Sequence, residues 1–94
     1  MSEVDFIDIF GDNLQDLMES RDMSQRELSK ESGISNVTIS RYIKKDRMPT
    51  AKSLVNLALA LDCRLDDLIA TYDYVDWQAR YIQLLLWNLL TLYF

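Results

Sequence analysis

Five residues between positions 36 and 44 have the spacing of one exposed side of an α-helix: Asn36, Val37, Ser40, Arg41 and Lys44. They bring an amide, a hydroxyl, a guanidinium and an ammonium group around one small apolar side chain. Ile34, Ile39 and Tyr42 would form the other side, and their spacing predicts burial. The outward groups can donate and accept hydrogen bonds, and such a helix face can enter the major groove of DNA.

A helix-turn-helix arrangement would position this face. Residues 24–45, SQRELSKESGISNVTISRYIKK, have the pattern of two short helices joined by a tight turn at Gly33. Glycine readily takes the left-handed backbone conformation that ends one helix and turns the chain. We expect Leu28 to point into the core. Ser29 must be small, because the second helix would cross over it.

Hydroxyl residues mark where three helices begin. Ser24 starts a capping box that Glu27 completes, and Ser35 precedes the second helix of the motif. Thr50 follows a loop and would cap a fourth helix. These signals predict helices to about residue 32, to about residue 44, and from residue 51 to about residue 61.

Two further segments complete the expected domain, an amphipathic helix over about residues 7–21 and a short fifth helix over about residues 64–70. The apolar residues expected to form the core of these helices and the fourth are Ile7, Phe10, Leu14, Leu17, Met18, Leu54, Val55, Leu57, Ala58, Leu61, Leu65, Leu68 and Ile69. The chain has only two glycines and one proline. The pattern therefore predicts an all-α fold, a five-helix domain followed by an apolar C-terminal helix.

The charge is unevenly distributed. The net charge is −5, which argues against general nucleic-acid binding. Residues 1–20 carry six acidic and no basic residues, whereas residues 21–52 carry eight basic and four acidic residues. Positive charge is thus concentrated in the helix-turn-helix segment and the loop after it, and this polarity would orient the protein on DNA.

The composition disfavours catalysis and metal binding. The chain has no histidine, one cysteine and no glycine-rich phosphate loop, so we expect no enzyme, no metal and no cofactor. Cys63 is interpreted as a small buried apolar group in preference to a reactive thiol. The acidic N-terminus lacks a signal-peptide pattern, and a reducing, cytoplasmic setting is the default expectation.

The C-terminal segment is unusually apolar. Residues 81–94 are apolar at eleven of fourteen positions and carry no charge, and we expect a helix from about residue 73. A heptad-like seam is formed by Val75, Ile82, Leu85, Leu89 and Leu92. The run is short for a membrane span, which needs about 20 residues. It could fold back on its own domain, but pairing with a second copy is favoured. The chain is accordingly divided into a domain at 1–71 and a dimerisation segment at 72–94.

Over about residues 7–70 the chain resembles the Cro/repressor-type helix-turn-helix family. The residues that carry this resemblance are Ser24-Gln25, Leu28, Gly33-Ile34-Ser35, Thr38-Ile39-Ser40-Arg41-Tyr42, Pro49-Thr50 and Leu65-Asp66-Asp67-Leu68. The resemblance implies a five-helix domain that binds double-stranded DNA. Met18 and Ile43 depart from it, because many members have an arginine and a glutamate there. We therefore predict that Met18 touches Ile43. Asp22 also departs, since glycine is common at its position.

The resemblance also implies roles for individual residues. The positions that would read base edges are Asn36, Val37, Ser40 and Arg41. The positions that would contact phosphates are Gln25, Arg26, Ser35, Lys44, Lys45 and Arg47. The chemistry fits, since asparagine pairs with adenine, arginine with guanine, and an apolar side chain packs on the thymine methyl. Alternatives stay open at this point: Arg41 as a phosphate contact or solvated side chain, Asn36 as a helix-start hydrogen bond, and Val37 as a tolerated surface residue.

The sequence as a whole predicts a transcriptional regulator, a phage or bacterial repressor that binds a palindromic operator as a homodimer without a cofactor or membrane. The alternative is a protein-interaction module or antitoxin of the same fold, whose apolar tail binds another protein. The acidic balance and the tail favour this alternative modestly, and the basic segment at 21–52 counts against it.

Overall fold

The computed structural model describes residues 2–69 and 85–92. The first range forms five helices, α1 (Glu3–Ser20), α2 (Gln25–Ser32), α3 (Asn36–Ile43), α4 (Ala51–Leu61) and α5 (Leu65–Ile69). Residues 85–92 are also helical, and the described ranges contain no strand. The all-α class and the five-helix domain are confirmed. Within these ranges, no helix combines the length and apolar character that crossing a membrane requires.

Each of the first four helices begins at a hydroxyl residue. The side-chain oxygens of Ser2, Ser24, Ser35 and Thr50 each accept a hydrogen bond from the backbone N–H three residues further on. The caps at 24, 35 and 50 were predicted, whereas the cap at Ser2 starts α1 earlier than residue 7. At Ser24 the capping box takes a modified form, because its hydroxyl donates to the Glu27 carboxylate at 3.2 Å.

The core lies where α1 packs on α3 and α5, and where α2 packs on α3 and α4. Its members are Phe10, Leu14, Met18, Leu28, Ile39, Tyr42, Leu57, Ala58, Leu61 and Leu68. Val55 was wrongly placed in this core and is 45% exposed, because it lies more than half a helical turn from Leu57. Leu65 and Ile69 were also misplaced, since the five-residue α5 buries Leu68 alone.

Met18 and Ile43, which depart from the pattern of the family that the chain resembles, lie where α1 packs on α3. Met18 is a core residue, and Ile43 is partly buried against the same cluster. Both positions thus hold packed apolar side chains where many members have charges. Their direct contact stays a prediction.

The connections between helices use left-handed backbone at residues other than glycine. Asp22, Lys45 and Asp62 have φ values of 52°, 63° and 50°. The left-handed Asp22 occupies the position at which the family commonly has glycine, the residue that adopts this conformation without strain. Aspartate tolerates it better than most residues.

Arg21 joins the end of α1 to the end of α4. Its guanidinium donates to the carbonyl oxygens of Leu61 and Asp62. A cation at the C-terminal carbonyls of a helix is also favoured by the helix dipole. Arg21 therefore belongs to the scaffold, although it lies within the basic segment of the sequence.

Candidate nucleic-acid interface

The turn between α2 and α3 is held by local hydrogen bonds. Gly33 ends α2 with φ 77°, and its N–H donates to the Ser29 carbonyl oxygen at 3.0 Å. The Ser29 hydroxyl donates to the Ile34 carbonyl oxygen at 2.6 Å, and the Ser32 hydroxyl accepts from the Ile34 N–H at 3.2 Å. The left-handed Gly33 was predicted. The small size of Ser29 was also predicted, whereas its hydrogen bond was not.

The inner side of α3 is fixed by aromatic packing and by a close approach of α1. Tyr42 is 2% exposed, and its ring meets Phe10 edge to face at 5.3 Å between centroids. Gly11 lies buried in α1, and a Cβ there would stand 2.8 Å from the Tyr42 carbonyl oxygen. The absence of a side chain at residue 11 thus lets α1 touch the C-terminal end of α3. This contact, together with the burial of Ile39 and Tyr42, holds the inner side of α3 against the domain.

The outer side of α3 forms one wall of an open concavity, here called the α3 surface, lined by Gln25, Asn36, Val37, Ser40, Arg41, Lys44 and Asp46. All four residues predicted to read bases lie on it, together with two of those predicted to contact phosphates. Val37 is 64% exposed, so an apolar contact is available to a ligand. Asp46 was not predicted at this surface.

Three other predicted phosphate contacts lie off the α3 surface. Arg26 and Arg47 are exposed, on α2 and in the loop after α3. Ser35 caps α3, and its hydroxyl accepts from the Thr38 N–H at 3.1 Å and donates to the Thr38 hydroxyl at 2.8 Å. Its hydroxyl is thus engaged within α3.

Lys45 points to α1. Its ammonium lies 2.9 Å from an oxygen of Asp12 and 4.0 Å from an oxygen of Asp8. The hydrogen bond with the Asp12 carboxylate raises the pKa of Lys45 above its ordinary value, while partial desolvation opposes the increase. This geometry disfavours Lys45 as a phosphate contact. The pairing could not be predicted from the sequence, since residues 12 and 45 are far apart in the chain.

The remaining cations of the predicted interface have no carboxylate partner within the described residues. The ion pairs found there involve Lys45 and Arg64, and none involves Arg26, Arg41, Lys44 or Arg47. These four side chains are exposed. Their charges are therefore available to an anionic ligand.

The predicted dimerisation residues fall partly within the described structure. Leu85, Leu89 and Leu92 lie in the helical residues 85–92 and are 46%, 53% and 82% exposed. Val75 and Ile82 lie outside the described residues. The exposed leucines form an apolar helix surface of the kind that binds another surface.

Comparison with known proteins defines the class. The helix-turn-helix family matches residues 14–68, more than half of the chain. The chain belongs to this family, in its Cro/repressor-type branch, and it is accordingly placed among DNA-binding transcriptional regulators.

A solved structure shares the fold. The restriction-modification controller protein C.AhdI from Aeromonas hydrophila matches with a TM-score of 0.64 and 26% sequence identity, over 66% of this chain and 94% of that chain. No curated protein sequence matches the chain.

Proposed function

We propose that this protein is a sequence-specific transcriptional repressor of phage or bacterial type, cytoplasmic, that inserts α3 into the major groove of its operator. The α3 surface is the observation that supports this most. It gathers an amide, a hydroxyl, a guanidinium and a small apolar side chain on one exposed side of a rigidly packed helix. These are the groups that read base edges.

The proposed contacts divide into two sets. Asn36, Val37, Ser40 and Arg41 read bases. Gln25, Arg26, Lys44 and Arg47, together with the helix start at Ser35, hold the phosphate backbone, which fixes the register of α3 in the groove. Lys45 is left out of the second set because it is paired with Asp12.

The proposed active form is a homodimer. Its DNA-binding domain is residues 1–71, and residues 72–94 pair with the same segment of a second copy. The exposed leucines of residues 85–92 support this, because burying them against an identical helix removes apolar surface from water. Two-fold symmetry would then place two α3 helices on a palindromic operator, with half-sites about 34 Å apart.

Selection of duplexes from a random pool tests sequence-specific binding. The full chain should enrich a palindromic sequence, and Arg41→Ala should lower affinity for it by about tenfold to hundredfold. Arg64→Ala is the control, because it removes the same charge from an exposed arginine that pairs with Asp66 away from the α3 surface. Equal losses from both variants, or no enrichment by the wild type, would overturn the proposal.

Neighbouring leucines test the dimer. Leu89 belongs to the heptad-like seam and Leu90 does not, yet they are similarly exposed, at 53% and 56%. We expect Leu89→Gln to weaken dimerisation in sedimentation experiments much more than Leu90→Gln does. Equal effects would argue against the seam.

The apolar helix at residues 85–92 also keeps a second function open, an adaptor or antitoxin that binds another protein. That function requires a different macromolecule on the tail. A chain that stays monomeric in solution, enriches no DNA and co-purifies with a protein partner through residues 72–94 would favour it.

A further inference from the structure

A single carboxylate lies among the neutral and cationic groups of the α3 surface. Asp46 is exposed and lines this concavity beside Asn36, Arg41 and Lys44. Its backbone N–H donates to the Arg41 carbonyl oxygen at 2.8 Å, which ties residue 46 to the end of α3. Its position is therefore set by the same helix that carries the proposed base contacts.

The left-handed turn at Lys45 places Asp46 on this surface. Lys45 has φ 63°, and its ammonium is directed to Asp12 on α1. The next residue, Asp46, lies on the α3 surface instead. The turn thus directs the Lys45 ammonium away from the α3 surface and places the Asp46 carboxylate on it. Attraction to phosphate alone would favour the reverse arrangement.

The chemistry of a carboxylate limits what it can meet in DNA. An ionised aspartate only accepts hydrogen bonds, and it repels phosphate oxygens. In the major groove, carboxylates accept from the N4 amino group of cytosine, whereas guanine and thymine present acceptors and no donor there, and adenine presents the N7 acceptor beside its N6 donor. If α3 lies in the groove, Asp46 at its C-terminal end would be stabilised by such a donor and repelled by an acceptor.

We propose that Asp46 is a specificity-determining residue, whose carboxylate accepts a hydrogen bond from the N4 amino group of a cytosine in each half-site. This inference rests on the proposed function. It adds to the read-out of Arg41 and Asn36 a contact that selects bases by repulsion as well as attraction, since the major-groove acceptors of guanine or thymine at the same place would repel the carboxylate.

The test compares the base preferences of the full chain with those of Asp46→Asn, by selection from a random duplex pool followed by affinity measurement on single-base variants. Asparagine has nearly the same shape but no charge, and thermal melting checks that the fold is kept. We expect one position in each half-site to lose its preference for cytosine by about tenfold, while the other positions keep theirs. Asp46→Glu should keep part of the preference.

Asp16→Asn is the matched control, since it removes the same charge from an exposed position on α1. It should leave every base preference unchanged. Unchanged preferences for Asp46→Asn, with or without tighter binding to all duplexes, would overturn the inference and leave Asp46 at most a general repulsive charge. A wild-type chain that enriches no sequence would overturn the proposed function and this inference together.

Discussion

At its N-terminal end α3 is held by hydroxyl groups from its own neighbourhood in the chain, whereas its C-terminal end is held by α1. The N-terminal end depends on Ser35, which caps α3, and on Ser29 and Gly33, which hold the turn before it. The second end depends on Gly11 and on the Asp12–Lys45 ion pair. One helix is thus positioned by two different kinds of interaction.

The two ends should consequently respond differently to substitution. Changes at the N-terminal end act on the local turn. No atom lies within 4 Å of a Cβ added at Gly33, so this part of the turn has room to adjust. Changes at the C-terminal end act on the packing between α1 and α3, which is close at the level of the backbone. We therefore expect the orientation of α3 on the domain to depend more on α1 than on the turn between α2 and α3.

Gly11→Ala should give the largest effect. The added Cβ would lie 2.8 Å from the Tyr42 carbonyl oxygen and 2.9 Å from Cγ of Lys45, and the carbonyl cannot move without shifting α3. Overpacking costs about 1–3 kcal/mol, of which the better helix propensity of alanine offsets up to about 1 kcal/mol. We expect a net loss of about 1–2 kcal/mol in urea unfolding at fixed protein concentration.

The control for this prediction is Asp16→Ala, at an exposed position of the same helix. It brings in alanine without a clash, so its unfolding free energy should stay within about 0.5 kcal/mol of the wild type. A Gly11→Ala chain as stable as the wild type would show that the close approach of α1 does not constrain α3.

Gly33→Ala should give a smaller loss at the other end. No atom lies within 4 Å of a Cβ built there, so the cost comes only from the left-handed backbone at φ 77°. That conformation costs alanine about 1–2 kcal/mol, less about 0.4–1 kcal/mol from its lower unfolded-state entropy. We expect a net loss of about 0.5–1 kcal/mol in urea unfolding. Gly33→Asn should lose less, and a larger loss for asparagine would contradict the backbone explanation.

The N-terminal end of α3, which is held by residues close to it in the chain, was predicted from the sequence. The caps at Ser24, Ser35 and Thr50 and the left-handed Gly33 are local features, because the residues that form them lie within a few positions of one another. The exposed side of α3 followed from helical periodicity in the same way. Family resemblance added the expectation of a five-helix domain, which the structure confirms.

The C-terminal end of α3, which is held by α1, was not predicted. The role of Gly11 was not predicted, because its partner, the Tyr42 carbonyl, lies in a different helix. Lys45 was assigned to phosphate contact from the family resemblance, and the sequence marks neither its pairing with Asp12 nor its left-handed φ. Asp46 was missed for the same reason. Contacts between distant segments require knowledge of how helices pack, which periodicity does not supply.

Lys44 and Lys45 offer the smallest and most selective comparison. Lys44 lines the α3 surface, whereas Lys45 pairs with Asp12 on α1. Lys44→Met should reduce the slope of log affinity against log salt by about 0.9, the value for one lost phosphate contact. Lys45→Met should leave that slope unchanged and lower stability slightly. Equal slopes for the two variants would return Lys45 to the phosphate contacts.

The loss of stability expected for Lys45→Met should depend on pH. The Asp12 carboxylate raises the pKa of Lys45 in the folded chain, so the pair stabilises the fold in neutral and mildly alkaline solution, below the ordinary lysine pKa. That stabilisation is lost as the pH rises through the raised value, because the neutral amine no longer pairs with Asp12. The difference in unfolding free energy between wild type and Lys45→Met should therefore be constant around neutral pH and shrink in strongly alkaline solution.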